Sequence, residues 1–263
     1  MRVLFIGDIV GRPGRRALAA RLKSLRQMHR IDIAVANGEN MADGAGVTRK
    51  TFAEVIDAGV DVVTGGNHSW AKREVLTFAD EEPRLLRPAN YPPSEAVRGR
   101  GSGVFDLPDG RRLGVMNLSG RVFLSELENP FLMAHEMAAE LRRSTPAILV
   151  DFHAEATSEK VAIGWHLDGH VSAVVGTHTH VQTADERILP KGTAHITDVG
   201  MTGPHDGVIG VDREIILHRF LTQMPVRHEI AQGDVRINAV VIDIDDETGL
   251  ARSIERISDA VDL

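Results

Sequence analysis

Eight short apolar runs, rich in β-branched residues, recur along the chain with almost no polar alternation, and this restricts the folds open to it. They are VLFIG at 3–7, IDIAVAN at 31–37, VDVVTGG at 60–66, LGVMNLS at 113–119, AILVDFH at 147–153, VSAVVGTHTHV at 171–181, HITDVGM at 195–201 and VRINAVVIDI at 235–244. Runs of this kind suit strands buried on both faces rather than sheets with one wet side. Helical patterns lie between them. Residues 13–29 place Leu18, Leu22 and Leu25 at i, i+4 and i+7, with Pro13 suited to a first helical position. Residues 48–58 carry Phe52, Val55 and Ile56 on one face between Thr48 as a cap and Gly59. Further helices are expected at about 130–143, 70–79, 159–168 and 213–221. With no repeat and no low-complexity linker, this alternation predicts one α/β domain over residues 1–263. The Pro- and Gly-rich stretch 83–110 reads as a loop or hairpin excursion, exposed enough to serve an interface in a homo-oligomer.

This pattern departs from an ordinary α/β domain in the polar residues placed at the ends of the runs. Asp8 comes after the first, Glu39 and Asn40 after the second, and Asn67 and His68 after the third; His153 ends the fifth, and His178 and His180 stand in the sixth. In open α/β sheets, ligands bind beyond the carboxyl ends of the strands, so residues scattered over the sequence can converge there. In an extended segment His178 and His180 would also share one face.

Each residue has a bland alternative. Asp8 could cap the first helix, Asn40 and Asn67 could be turn residues with left-handed backbone, and His153 could be a hydrogen-bonded core histidine. The coincidence of five such strand ends favours a metal site. The chain has no cysteine among 263 residues but 12 histidines, which excludes thiolate zinc sites, iron–sulfur clusters and disulfides. A mixed set of imidazole, carboxylate and amide ligands suits Mn, Fe or Zn. Asp8, Glu39, Asn40, Asn67, His153, His178 and His180 are more than one tetrahedral ion uses and suffice for two. Two ions about 3.5–4 Å apart can hold a bridging hydroxide and clamp a phosphate for in-line displacement, so phosphoester hydrolysis is the expected chemistry.

A net charge of −7 argues against a long nucleic acid as partner, since phosphate tracking needs Lys and Arg. A small anionic phosphoester stays open, because bound cations would neutralise Asp8 and Glu39. The first apolar run is broken by Asp8 too early for a signal peptide, and no window approaches a membrane span, so a cytoplasmic protein is expected.

The motifs Gly7-Asp8, Gly38-Glu39-Asn40, Gly66-Asn67-His68, Asp151-Phe152-His153 and Gly176-Thr177-His178-Thr179-His180 resemble, in order and spacing, those of calcineurin-like metallophosphoesterases. Two departures, Asp8-Ile9-Val10 for the usual Asp-x-His and Gly38-Glu39-Asn40 for the usual Gly-Asp, are similar to the bacterial YmdB-like branch. So are FIGDIVGRPGR, DFHAEATSEK and DVGMTGP. The resemblance, which spans residues 1 to about 215, implies a four-layer α/β/β/α sandwich and a dinuclear metal centre. It further implies activity on cyclic nucleotides as a 2′,3′-cyclic-nucleotide 2′-phosphodiesterase. By matched position it assigns Asp8, Asn40 and His180 to one metal, Asn67, His153 and His178 to the other, and Glu39 to a bridge. His68 is implied as proton donor to the leaving oxygen, the alternative being to orient a ligand by hydrogen bond.

Gly7, Gly11 and Gly14 fit no nucleotide-binding glycine motif and read as turn residues. Arg12, Arg15 and Arg16 could approach phosphate or form a solvated helix end. Glu155, Thr157, Ser158 and Lys160 could line a pocket, or Thr157 or Ser158 could cap a helix. Residues 202–205 are turn-rich. His29, His135, His166, His170, His218 and His228 fall in or at helices and need no special role, while His195 begins a strand. Two other readings compete: a phosphomonoesterase or other phosphodiesterase at the same site, and a non-catalytic regulatory or RNA-associated protein that keeps the metal fold.

Overall fold

A computed structural model describes residues 1–263. The buried runs become two sheets. The first contains β1 (Arg2–Ile6), β2 (Asp8–Ile9), β3 (Ile33–Asn37) and β4 (Val62–Thr64). Later in the chain β11 (Met201–Pro204), β12 (Val235–Ile244) and β13 (Ala251–Ala260) join it, in the order β2-β11-β12-β1-β3-β4 with β13 paired to β12. The second contains β5 (Ser102–Asp106), β6 (Arg112–Ser119), β7 (Ile148–His153), β8 (Ala173–Thr177), β9 (Arg187–Ile188) and β10 (Ala194–Ile196), in the order β5-β6-β7-β8-β10-β9. Within them β1, β3 and β4 run parallel, as do β6, β7, β8 and β10.

Period-two alternation explains why these strands look apolar throughout. Val3 and Phe5 of β1 meet Leu149 of β7 and Val175 of β8 in a core between the sheets. Leu4 and Ile6 point the other way, onto α1 (Gly11–Met28) and α2 (Arg49–Asp57), where Leu18, Leu22, Leu25, Phe52 and Val55 bury. Ile148, Val150 and Phe152 of β7 likewise face α3 (Pro130–Arg142) and α4 (Thr157–His166). The result is the expected α/β/β/α sandwich, its three cores each removing aliphatic side chains from water at about 1.5–3 kcal/mol apiece.

Several local expectations are corrected. α1 starts at Gly11, so Pro13 stands two residues inside it. Residues 70–79 form only a short 3-10 turn, Arg73–Thr77, whose bonds close from Val75 N to Lys72 O and from Phe78 N to Val75 O. The run 195–201 is two strands in different sheets: Gly200, at φ +83°, lets the chain leave β10 and cross into β11. Residues 202–204 are therefore strand, not turn. The stretch 83–110 does contain a hairpin strand, β5, antiparallel to β6. The edge strand β13 has no counterpart among the eight runs, because in ARSIERISDA only Ala251, Ile254 and Ile257 pack against the cores and exposed charged residues stand between them on both faces. Thr48 caps α2 in a reciprocal capping box with Thr51. Neither Thr157 nor Ser158 caps α4, which starts after Ala156 with no side-chain cap. No helix is long and apolar enough to cross a membrane.

Candidate active site

The C-terminal ends of β1, β3, β4, β7 and β8 meet at one edge of the sandwich, and the polar residues at those ends touch. Glu39 Oε1 lies 3.3 Å from His153 Nε2 and accepts from Asn40 Nδ2 at 3.1 Å. Asn67 Oδ1 is 2.8 Å and His178 Nδ1 3.1 Å from the same His153 nitrogen. On the other flank His180 Nε2 is 3.1 Å from Asn40 Nδ2 and 3.8 Å from Asp8 Oδ1. His68 Nδ1 lies 2.8 Å from Asn40 Oδ1, and its amide donates to Glu39 Oε2 at 2.8 Å. All eight residues singled out in the sequence thus belong to one network.

The bland readings hold in part: Asn40 and Asn67 do lie in turns, and His153 is buried and hydrogen-bonded through Nδ1. Asp8 is fully buried and caps nothing; the residue flanking α1 is Val10, and Asp8 Oδ2 instead accepts from the His178 amide at 3.1 Å. Asn40 and Asn67 are absent from the left-handed region. His178 and His180 occupy it instead, at φ +98° and +66°. These histidines are therefore not presented by a pleat, as an extended segment would require. β8 ends at Thr177, and a strained turn aims both rings, at a cost of about 1–3 kcal/mol per residue. Gly66 is needed for a different reason: a Cβ there would stand 2.4 Å from both Glu39 Oε2 and His153 Nε2.

The surroundings fix which nitrogen of each imidazole is free. Thr177 Oγ1 gives its one proton to Asp151 Oδ1 at 2.7 Å, so at 2.9 Å from His153 Nδ1 it accepts. That leaves Nε2 facing the cluster. His178 Nε2 is tied to Glu155 at 2.9 Å and His180 Nδ1 donates to Ile209 O at 2.9 Å, which turns the other nitrogen of each inward. Partners of this kind are what orient metal-binding histidines. Sequence reading gave no role to Asp151, Thr177 or Asp198 and offered Lys160 only as a pocket residue, whereas it is buried against Asp198 behind Thr179. Asp198 accepts from Lys160 Nζ at 2.6 Å and from the Thr179 amide and hydroxyl at 3.1 and 2.7 Å. The one available signal was a charged residue, Asp151 or Asp198, inside an otherwise apolar run.

Electrostatics point the same way. Asp8 and Glu39 are buried without a lysine or arginine partner, and Asp8 Oδ1 has no hydrogen bond at all. Burial raises Asp8, against the pull of His180 and His153. Burial also pushes Glu39 upward, but His153 and His68 outweigh it and hold its carboxyl well below the usual range. Burial would lower His153, yet Glu39 and Asp8 lift it to about 9, whereas burial beside His153 drives His178 down to about 4. A proton on His153 Nε2 is what the Glu39 and Asn67 oxygens share here, and a bound cation would take the place of that proton and accept lone pairs from all three. Ligand atoms of Glu39, His153 and His178 all lie within 4.8 Å of one another. The donor set fits a transition metal with mixed N and O ligands.

The cluster opens into a cavity of about 600 Å³, reached by Glu39, Asn40, His68, His178 and His180. Arg12, Arg15 and Arg16 do not line it; Arg15 is held by Glu54 and the Met41 carbonyl. His228, expected to have no role, does line it.

Residues 4–257 match the family model described as YmdB-like protein. The chain belongs to the YmdB-like family. It is 54% identical over 257 residues to the 2′,3′-cyclic-nucleotide 2′-phosphodiesterase of Bacillus subtilis (strain 168), covering 98% of this chain and 96% of that one. Among solved structures, a hypothetical protein from Thermus thermophilus superposes with a TM-score of 0.92 at 42% identity, over 99% of both chains. A phosphatase from Mycoplasma pneumoniae gives the same TM-score at 35% identity, over 99% of this chain and 93% of the other. These likenesses place the sandwich in the YmdB-like branch of the calcineurin-like metallophosphoesterases.

Proposed function

We propose that this YmdB-like protein hydrolyses 2′,3′-cyclic nucleotides to 3′-nucleotides in the cytosol, at a centre of two metal ions, Fe or Mn. The reading is carried by the 54% identity, across 98% of the chain, to a relative named for that activity. The site supplies what the reaction needs. Asp8, Asn40 and His180 would hold one ion and Asn67, His153 and His178 the other. Glu39 stands between the two groups, 3.1 Å from Asn40 and 3.3 Å from His153. Ions bound there supply Lewis-acid charge to the phosphoryl oxygens and to the attacking water.

The remaining work falls to side chains of the chain itself. As a ligand Asn40 turns its amide over, offering Oδ1 to the ions and Nδ2 to His68 Nδ1, an exchange that moves no other atom. The His68 proton then sits on Nε2, on a ring that is half exposed in the cavity. From there it passes to O2′ as the P–O2′ bond breaks, which leaves the phosphate on O3′.

The test compares initial rates on 2′,3′-cyclic AMP, 3′,5′-cyclic AMP and a simple aryl phosphate, before and after chelation. Hydrolysis of the first to 3′-AMP, lost on chelation and restored by Mn or Fe, is expected. A metal-loaded protein that leaves 2′,3′-cyclic AMP intact, or releases 2′-AMP, overturns the assignment.

A further inference from the structure

Holding ions and phosphate uses only one wall of the cavity. The opposite wall is apolar, with Val208, Ile209, Ile216, Phe220 and Ile230. Much of it comes from α5 (Arg213–Thr222), which turns Ile216, Arg219, Phe220 and, just past its end, Gln223 to the cavity at i, i+3, i+4 and i+7. Ile216 is the one buried residue of α5 and anchors it. Phe220 is 68% exposed. α5 also leaves Leu217 and Leu221 open, but of these three exposed apolar side chains only Phe220 faces the cavity. Arg219 Nη1 is meanwhile fixed 3.0 Å from His228 Nε2, which orients the guanidinium and leaves its other N–H groups free.

We propose that this face of α5 is a nucleobase seat. With the cyclic phosphate at the ligand cluster, the base stacks on Phe220, and Arg219 and Gln223 stand at its hydrogen-bonding edge. The proposal rests on the reading that the substrate is a cyclic nucleotide. Such a molecule is an anion at one end and a flat aromatic at the other, and the cavity has the same division. Its volume, about 600 Å³, lies within the range of small-ligand sites. Stacking accepts every base, because each has a π face, so the seat favours nucleotides over base-free diesters without choosing strongly among the four.

Phe220→Ala tests this without threatening the fold, since the ring is mostly exposed. Its KM for 2′,3′-cyclic AMP should rise about tenfold or more, while kcat holds. Base-free ribose 2,3-cyclic phosphate should be turned over as by the unsubstituted protein. Binding should separate in the same way: affinity for adenosine 3′-phosphate falls about tenfold, while that for inorganic phosphate stays. Phe220→Trp should restore both. Equal losses on nucleotide and base-free diester, or no loss on either, overturn the seat. Failure of the unsubstituted protein to hydrolyse any cyclic nucleotide would instead overturn the functional reading, so the two failures are distinguishable.

Discussion

The hydroxyl of Thr177 is the single point through which the buried Asp151 reaches His153, at Nδ1, the nitrogen opposite the proposed metal-binding Nε2, and Thr177→Val isolates it. Valine matches threonine in shape, so no cavity opens, but three hydrogen bonds vanish: Thr177 to Asp151 at 2.7 Å, His153 Nδ1 to Thr177 at 2.9 Å and a long one from Asn37 Nδ2 at 3.4 Å, whose donor keeps Asp151 Oδ2 and Gly65 O. Thr177, Asp151 and His153 are fully buried. Water therefore cannot replace the lost partner at Nδ1–H or at Asp151 Oδ1. Each of these two unsatisfied groups costs about 1–3 kcal/mol, so the loss of stability should be roughly 2–6 kcal/mol. For a chain of this size that corresponds to a melting point lower by about 5–15 °C. Losing the partner that orients His153 should also weaken metal binding by about 10–100-fold. Competition against a chelator measures the affinity and calorimetry of the metal-free protein measures the stability. Thr177→Ser keeps the hydroxyl and should stay close to wild type in both. A Thr177→Val protein that binds metal within about twofold of wild type would refute the claim that this chain of bonds orients His153.

Other perturbations follow from the same geometry. His68→Ala should lower kcat by about 10²–10⁴-fold with metal content unchanged, and full turnover with intact metals would remove His68 from proton transfer. Lys160→Met strips the counter-charge from Asp198, and breaking such a buried pair should cost about 3–5 kcal/mol in urea denaturation. Adding Asp198→Asn should recover part of that loss; no recovery would mean that the pair is not the source. His195 is buried with neither ring nitrogen hydrogen-bonded, and burial lowers its pKa. The unfolded chain therefore takes up this proton first, and the associated stability is lost as pH falls below the ordinary imidazole value of 6.5. His195→Leu should accordingly show a smaller drop in melting temperature than wild type between about pH 7 and about pH 5. An equal drop in both proteins would exclude His195 as an acid-sensitive point.

The sequence disclosed most where one physical cause acts over many residues. Two-sided burial leaves a continuous apolar run, so the strands that sit between helices and the second sheet were legible, as was the α/β class. It disclosed least where the cause is local. Nothing in HITDVGM marks Gly200 as the residue that carries the chain from one sheet to the other. In β13 both faces are only partly covered, with Ile254 packed on one side and Ile257 on the other among exposed charges, and ARSIERISDA therefore lacks the apolar signature. The 70–79 segment closes its bonds mainly at i+3, with a single i+4 bond from Ala79 N to Val75 O, too few to make an α-helix.

The site divides along the same line. Chemical identity at strand ends was enough to assemble all eight residues, because a parallel sheet delivers its carboxyl ends to one edge whatever the intervening sequence. How those residues are aimed was not legible. The expectation that His178 and His180 share a face of a strand gave the right convergence for the wrong reason, since their rings are directed by left-handed backbone at φ +98° and +66°. That conformation is held from outside: Asp8 takes the His178 amide, Asp198 takes both polar groups of Thr179, and Ile209, itself at φ +46°, takes the His180 imidazole proton. A β-branched residue rarely tolerates positive φ, so Ile209 adds strain of its own. The loop that contains Ile209 also forms the apolar wall of the cavity. Aiming of His180 and shaping of the proposed base seat therefore depend on one carbonyl and one side chain of the same residue. This links the metal-binding and substrate-binding walls mechanically, although β8 and the 205–212 segment are distant in sequence.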